Sequence, residues 1–504
     1  MLRSYRLVLM AVLFVLTHSR LNAKPRGLVV ASKDFTEAVL LGDILTQSLQ
    51  EKGVQTQHLP SLGSSPLLWK ALLSGDIDAY GDYTGTVLKE TLSQLQLSSD
   101  DQLPSALAAY GVGITRPLGF NNTYILGMRH DVAHKYHITR ISDLKRYPEF
   151  RFGFSTGFVD RNDGWPMLKQ RYQLPQNQVT EMDHEITYRA LTSGAIEVTN
   201  LYSTDAEIKA YEITPLDDDL RIFPEYDAVY LYRLDTARRE PRLLQALASL
   251  EGSIDAQHMV AMNAEVKIQH KSEESTAQSF LAHLKGQRNP THLLQGKDRW
   301  NSFLDQAGRH LLLVFLPLLL NILIAVPLGI LATYHTGLGR FLLSAVSVAQ
   351  TIPSLALLVL FIPILGVGFA PALAALFVYG MLPIMKNTYL GLKSIPLSLQ
   401  ESSETLGLSP LRRLMSLELP LASPMILAGI KVSAVLNVGT ATLGAIIGAG
   451  GFGEAILTGV RHDDMNMLLR GAVPSALLAL LIQALFSWLE SRVIPRGLRL
   501  TTSL

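Results

Sequence analysis

Beyond about Arg309 the charged residues of this chain retreat into short clusters and leave five stretches nearly free of them. These are Leu311–Thr333, Leu343–Leu365, Phe369–Met385, Pro424–Ile447 and Gly471–Leu489. A bilayer core is crossed by roughly 20 apolar residues in a helix, and lipid leaves no partner for backbone groups that a helix does not satisfy. The pattern predicts an all-α membrane domain over 311–490. Phe369–Met385 is the shortest stretch and is expected to extend into its flanks or to sit partly inside the bundle. Arg340 follows the first span, Lys386, Lys393, Arg412 and Arg413 follow the third, and Arg492, Arg496 and Arg499 follow the fifth. On the other side, Arg461 and Arg470 stand beside Glu454, Asp463 and Asp464. Excess Lys and Arg marks the cytoplasmic side. Five spans therefore start outside and end inside, with a cytoplasmic loop at 387–423 and a cytoplasmic tail at 491–504.

The N-terminus supports that orientation. Arg3 and Arg6 precede the apolar run Leu7–Leu16 and polar residues Thr17–Asn22, a run too short to cross a bilayer and typical of a secretory signal. The signal peptide is read as 1–23, with an uncleaved anchor as the alternative. Residues 24–285 are then exported, joined to the membrane domain by a linker at 286–310. The chain contains no cysteine, which excludes disulfides, thiolate metal sites and a cysteine nucleophile. A net charge of +1 provides no field for nucleic acid. The expected location is the bacterial inner membrane, multi-pass, with the N-terminal domain in the periplasm.

The exported region alternates short β-branched runs with amphipathic stretches, as α/β units do, and it is duplicated. Ala71-Leu-Leu-Ser-Gly-Asp-Ile-Asp-Ala-Tyr-Gly-Asp-Tyr83-Thr84 aligns without gaps on Ala190-Leu-Thr-Ser-Gly-Ala-Ile-Glu-Val-Thr-Asn-Leu-Tyr202-Ser203. A second pair precedes it: Ser32–Phe35 after the strand at 28–31, and Ser155–Phe158 after the strand at 151–154. Two lobes would thus present aromatics from the carboxyl ends of their strands, where open α/β sheets bind ligands. The architecture is that of a hinged binding protein. Aromatics converging on its cleft suggest a cage for a quaternary ammonium. Any one of these rings taken alone is more often core packing. Tyr83 and Tyr202 fit that reading least, because small polar residues follow both.

Two sets of motifs resemble known families. Glu401-Ser402-Ser403, then Gly407, then Leu417-Glu418-Leu419-Pro420 is similar to the coupling loop of ABC-importer permeases, in which alanines stand at 402 and 403 and isoleucine at 417. The resemblance implies that Glu401, Gly407, Leu417 and Pro420 serve docking of a separate ATPase, Gly407 making a turn and Pro420 starting the return to the membrane. Ser32–Glu37, Asp82–Thr86, Gly119–Tyr124, Tyr202–Asp205 and Phe223–Asp227 resemble, in order, the binding proteins of the osmoprotectant importers for glycine betaine, choline and carnitine; Thr351–Ser354 resembles their permeases. The implied fold is a two-lobed α/β periplasmic binding protein (type II, hinged) fused to an all-α transmembrane permease. The implied ligand contacts are Phe35, Thr36, Tyr83, Thr86, Phe120, Asn121, Asn122, Tyr202 and Tyr226. Tyr83, Tyr202 and Tyr226, joined by Phe35, would cage the ammonium. Thr86, Asn121 and Asn122 would hold the carboxylate or hydroxyl end, and 120–129 and 223–233 would be the lobe crossings. Where relatives carry an acidic residue after Gly-Gly-Thr this chain has Pro66, and where they read Pro-Glu it has Gly81-Asp82. A cage short of anions tilts the expectation from choline toward a zwitterionic betaine, ergothioneine included.

Other readings fare worse. Gly448–Gly453 satisfies G-x-G-x-x-G but ends a membrane helix rather than opening a βαβ unit, so a flexible turn or periplasmic gate is expected there. No G-x-x-x-x-G-K-[ST] occurs, which assigns ATP hydrolysis to another subunit and leaves this chain without cofactor or metal. Asp160–Asp163, Asp183–Glu185 and His462–Asp464 match no ligand or acid–base pattern and read as solvated faces, so no enzyme is expected. Lys431 in the fourth span would snorkel to the cytoplasmic interface, and Asn321 and Gln350 would bind neighbouring helices or line a path. A membrane-tethered solute sensor is the alternative from another class, but it accounts for no ATPase dock. Two copies of the chain are expected to form one pathway.

Overall fold

In the computed structural model, residues 27–155, 157–161, 163–286, 295–461 and 464–494 are described. The signal at 1–23, residues 287–294 of the linker and most of the tail at 491–504 lie outside them, as do Thr156, Asn162, His462 and Asp463.

The duplicated segments become duplicated lobes. Lobe one has strands β1 (Leu28–Ala31), β2 (Thr56–Leu59), β3 (Ala79–Tyr83) and β4 (Val112–Ile114), and lobe two has β5 (Tyr124–Arg129), β6 (Phe152–Ser155), β7 (Val179–Met182), β8 (Val198–Tyr202) and β9 (Ile213–Leu216). The chain then returns to lobe one as β10 (Ala228–Arg233). The sheet orders are β2-β1-β3-β10-β4 and β7-β6-β8-β5-β9, the same topology twice. In each, a returning strand lies antiparallel to the strand that ends in the paired tyrosine. Helices Ser65–Ser74 and His184–Thr192 precede β3 and β8 at the registers that the gapless alignment gives. The crossings at 115–123 and 217–227 run side by side, with Asn121 bridged to Asp227. Short paired crossings of this kind form a hinge.

The membrane half is a bundle of long helices. Apolar segments Phe303–Tyr334, Phe369–Lys393, Pro410–Ile447 and Met465–Arg492 are each long enough to cross. The remaining span differs from expectation. Instead of one helix over 343–365, helices Thr336–Thr351 and Ser354–Leu365 meet at 101°. Pro353 has no N–H to continue the first helix and drives Ile352 extended (φ −68°, ψ 127°); the Tyr379 hydroxyl donates to the Ile352 carbonyl. The bent pair still crosses. Its start follows Tyr334, which hydrogen-bonds Glu418 of the cytoplasmic loop, and its far end lies where Gly368 N donates to Ile447 O at 2.7 Å, at the binding-domain side.

Within the linker region, residues 295–310 form the opening turns of helix Gln295–Tyr334. The third span extends to Lys393 through its C-terminal flank. Gly448–Gly453 is not a loose turn: it is largely buried, with Gly448, Gly450 and Gly451 at φ of +75°, +84° and +85°, and Phe452 lies 4.8 Å from the His310 ring. Asn321 is buried beside Gly380 and Ser433, and Lys431 donates to Ser487 of the last helix at 2.9 Å.

Candidate functional site

Because β1 and β3 end on lobe one and β8 on lobe two, the residues that follow them meet across the cleft. Phe35 stacks between Tyr83 (6.3 Å between centroids) and Tyr202 (5.8 Å). Tyr202 then leads to Tyr124 at 5.4 Å, and Tyr124 to Phe158, Phe223 and Tyr226 at 4.9, 5.9 and 5.5 Å. The result is a continuous aromatic layer contributed by both lobes and by the crossing at 217–227. A cavity beside it is lined by Phe35, Thr36, Glu37, Asn122, His184, Tyr202, Asp205, Asn263 and Lys267.

That cavity holds two carboxyl groups, Glu37 and Asp205, together with His184 and Lys267. Glu37, at the start of helix Thr36–Glu51, is 3% exposed. It accepts from the Tyr83 hydroxyl at 2.6 Å, from Asn122 Nδ2 at 2.8 Å, from Asn263 Nδ2 at 3.0 Å and from the Thr204 hydroxyl. These donors come from lobe one, a crossing, helix Ala256–Lys267 and lobe two, so the carboxylate fastens the closed cleft. Burial pushes its pKa up, and the hydrogen bonds from Thr204, Tyr83 and Asn263 only partly offset that. Asp205 accepts from Tyr202 N at 2.8 Å and from the Tyr188 hydroxyl, and His184 Nε2 lies 3.1 Å away. Burial raises the Asp205 pKa too, but His184, Lys267 and Tyr188 outweigh it and hold the group below the usual range.

A second cross-cleft contact closes the far side. Arg161 of lobe two pairs with Glu90 of lobe one and, at 2.7 Å, with Asp163. Its guanidinium lies 5.8 Å from the Tyr124 ring, and Asp163 accepts from the Tyr226 hydroxyl at 2.6 Å. The Asp163 carboxyl is pushed up by burial but held low by Arg161. Burial, against the Arg161 charge, moves the Tyr124 hydroxyl up to about 12. Asp160–Asp163 and Asp183–Glu185 are therefore not simple solvated faces: each sends a side chain into the cleft, Arg161 with Asp163 and His184.

The expected contact residues divide. Phe35, Thr36, Asn122 and Tyr202 line the cavity. Tyr83 is buried with Lys33 Nζ 5.0 Å over its ring, and Tyr226 belongs to the aromatic layer. Thr86 is buried on the turn Thr84–Thr86 after β3, and Phe120 packs in a core cluster drawn from both lobes. Asn121 takes part in the hinge bridge, its carbonyl accepting from Ser203 Oγ at 3.3 Å. Asn122 directs its amide at Glu37 rather than at a free carboxylate site. Sequence reasoning placed Phe158 among the cleft aromatics but did not assign Glu37, Tyr124, Arg161, Asp163, His184, Asp205 or Phe223. Glu37, Tyr124, Asp205 and Phe223 lay inside the quoted motifs, and Phe158 lay in the second lobe pair.

On the cytoplasmic side, helix Leu397–Thr405 carries exposed Glu401 and is followed by Gly407 at φ +71°, a conformation that favours glycine. Leu408 N bonds Ser403 O at 3.2 Å and Gly407 N bonds Glu404 O at 2.9 Å, closing the helix. Leu397, Leu406, Leu411 and Met415 are exposed by 58–79%, an apolar surface around the turn. Pro420 lies inside the continuous run Pro410–Ile447, and Leu417 lies on its first turns. Arg413 ties the two arms together, pairing with Glu404 and, at 3.0 Å, with Glu418.

Comparison with known proteins fits both halves. Residues 26–283 match the family described as the substrate binding domain of an ABC-type glycine betaine transport system, and residues 294–495 match the binding-protein-dependent transport system inner membrane component. The chain belongs to the glycine betaine family of binding-protein-dependent ABC importers. It is similar to the glycine betaine/carnitine/choline permease protein OpuCB of Bacillus subtilis (strain 168), 40% identical over 196 residues, or 39% of this chain and 90% of that protein. It is also similar to the ergothioneine transport permease/ergothioneine binding protein EgtU of Helicobacter pylori (strain G27), 38% identical over 286 residues, or 55% of this chain and 51% of that one. A solved glycine betaine/carnitine/choline ABC transporter structure aligns over 51% of this chain and 99% of its own, with 25% identity and a TM-score of 0.44. Substrate binding and membrane passage are thus joined in one polypeptide of the bacterial membrane. The chain is a transporter subunit and not an enzyme, and its permease half implies a partner ATPase.

Proposed function

We propose that the chain imports a quaternary-ammonium compound of the glycine betaine, carnitine and choline class. The observation that carries this is the aromatic layer from Phe35 through Tyr202 to Tyr124 beside the carboxyl groups of Glu37, which is buried, and Asp205, whose side chain is 9% exposed. A trimethylammonium group cannot donate a hydrogen bond, so ring faces and nearby anions are its best partners. Each desolvated face contributes up to ~2 kcal/mol. Arg161, close over Tyr124, offers a partner for a carboxylate at the other end of a zwitterion.

A second reading has one observation in its favour. Glu37 lines the cavity, and ergothioneine, unlike glycine betaine, has a ring N–H that could replace one of the four donors now on that carboxyl group. The fused relative from Helicobacter pylori carries that compound in its name. In either case the lobes close on the cargo and pass it to a pathway formed by two copies of the permease half. Fusion holds the binding domain at an effective concentration on the order of mM for a short linker. Two ATPase subunits dock at 401–420 and drive inward release.

The test is a titration of residues 24–285, followed by tyrosine fluorescence, with choline, glycine betaine, carnitine and ergothioneine. Saturable micromolar binding of one compound, lost in Tyr202→Ala, supports the cage. Binding of none of the four refutes a quaternary-ammonium cargo.

A further inference from the structure

We propose that Arg461 is the arm by which the permease keeps lobe one of the binding domain docked on its outer face, leaving lobe two as the part that opens and closes. Arg461 ends helix Phe452–Arg461, on the side of the membrane that faces the binding domain. Its Nη2 lies 2.9 Å from Glu273 Oε1, and both side chains are only 8% exposed. Its Nη1 donates to the Ser61 hydroxyl. Glu273 opens helix Glu273–Leu284, which packs on helix Thr36–Glu51, so both grips are on lobe one.

Apolar contacts surround this pair. Leu67 packs against the permease core, and Val367 of the permease packs against the lobe-one core. A side-chain carbon at Gly448 would lie 3.5 Å from Leu62. Leu62 and Leu67 also belong to lobe one. A charge pair withdrawn from water in this way is costly to break by removing one member, because the other is left buried and unpaired.

The gripped loop is also the shelf of the cargo site. Ser61 N donates to Ser32 Oγ at 3.3 Å and Leu62 N to Ser32 O at 2.9 Å. Ser32 leads directly into Lys33-Asp34-Phe35, the edge of the aromatic layer. The permease therefore holds lobe one next to the segment that touches cargo.

The test does not require the cargo to be known. Because the chain contains no cysteine, an introduced pair reports docking alone. A side-chain carbon at Gly366 would lie 3.0 Å from Asp76 Cγ, within reach of a disulfide between Asp76→Cys and Gly366→Cys. Gly366 has φ +77°, which weakens that link equally in every background, so rates are compared as ratios. In membrane vesicles holding the full chain, oxidation of this pair is expected to slow by about 30-fold when Arg461→Glu is added. Arg461→Glu with Glu273→Arg is expected to restore it to within a few-fold. Equal oxidation rates with and without Arg461→Glu overturn the proposal, as does a double exchange that fails to restore the rate. A parent pair that never oxidises overturns the docked arrangement itself.

Discussion

Replacing Glu37 with Gln should separate the cost of a buried carboxylate from its use. Glu37 is buried and its pKa is raised by burial, with the hydrogen bonds from Thr204, Tyr83 and Asn263 only partly compensating. A carboxyl whose folded pKa lies above its value of 4.5 in the open chain contributes stability that is fully present below 4.5 and lost as pH rises through the folded value. The ionised form of the group therefore works against the cargo-free fold. Glu37→Gln should leave the melting temperature at pH 7 unchanged or higher. It should also remove the gain in stability that the wild type shows as pH falls toward 4.5.

Cation binding should change in the opposite direction. An ammonium about 5.5 Å from the carboxylate gains about 3 kcal/mol at an effective dielectric of about 20, equivalent to roughly 150-fold in Kd. Screening by the four donors reduces this, so a loss of at least ~30-fold is expected for choline. Glycine betaine, whose own carboxylate offsets the attraction, should lose less. Calorimetric titration and thermal melts from pH 4.5 to 7 measure both effects. Choline binding within ~3-fold of wild type, or a melting temperature at pH 7 lowered by more than about 5 °C, would refute the assignment of Glu37 as the carboxylate that reads a cation.

Two further expectations address the hinge and the coupling loop. Arg161→Ala removes the link between Glu90 and Asp163 across the cleft and should weaken cargo binding by ~10–30-fold, mostly through faster dissociation; stopped-flow release at an unchanged rate would count against a closing role. Gly407→Val forces a β-branched residue to φ +71°, where the strain is on the order of 1–2 kcal/mol. It should abolish uptake and cargo-stimulated ATP hydrolysis while leaving cargo affinity within ~2-fold, and uptake at wild-type rates would remove 401–420 from the coupling path.

The duplication was legible because it depends on local pattern. Ala71–Tyr83 and Ala190–Tyr202 each spell a helix, a Ser-Gly turn and a strand, and β3 and β8 end at the paired tyrosines. The membrane spans were legible for a similar reason, since lipid demands long uncharged runs. The break at Pro353 was not, because hydropathy averages across a bend that only the missing N–H reveals. Residues 295–310 looked like a linker because their sequence is rich in polar residues, which a helix outside the lipid carries as readily as a loop does. The anions of the site were hidden in another way. Glu37 and Asp205 stand inside quoted motifs, yet Glu37 takes its partners Thr204 and Asn263 only when the lobes close, and Asp205 takes His184 from an earlier helix of its own lobe. Arg161 reaches Glu90 across 71 residues of sequence, a pairing no spacing rule contains.

Reconstitution tests the whole account most directly. The full chain is placed in proteoliposomes with its partner ATPase, and ATP-dependent accumulation of radiolabelled glycine betaine, carnitine and choline is followed. The account predicts accumulation of at least one of them against its gradient, abolished by Tyr202→Ala at the cage and by Gly407→Val at the coupling turn. Accumulation unaffected by Tyr202→Ala, or ATP hydrolysis stimulated by none of these compounds, would contradict it.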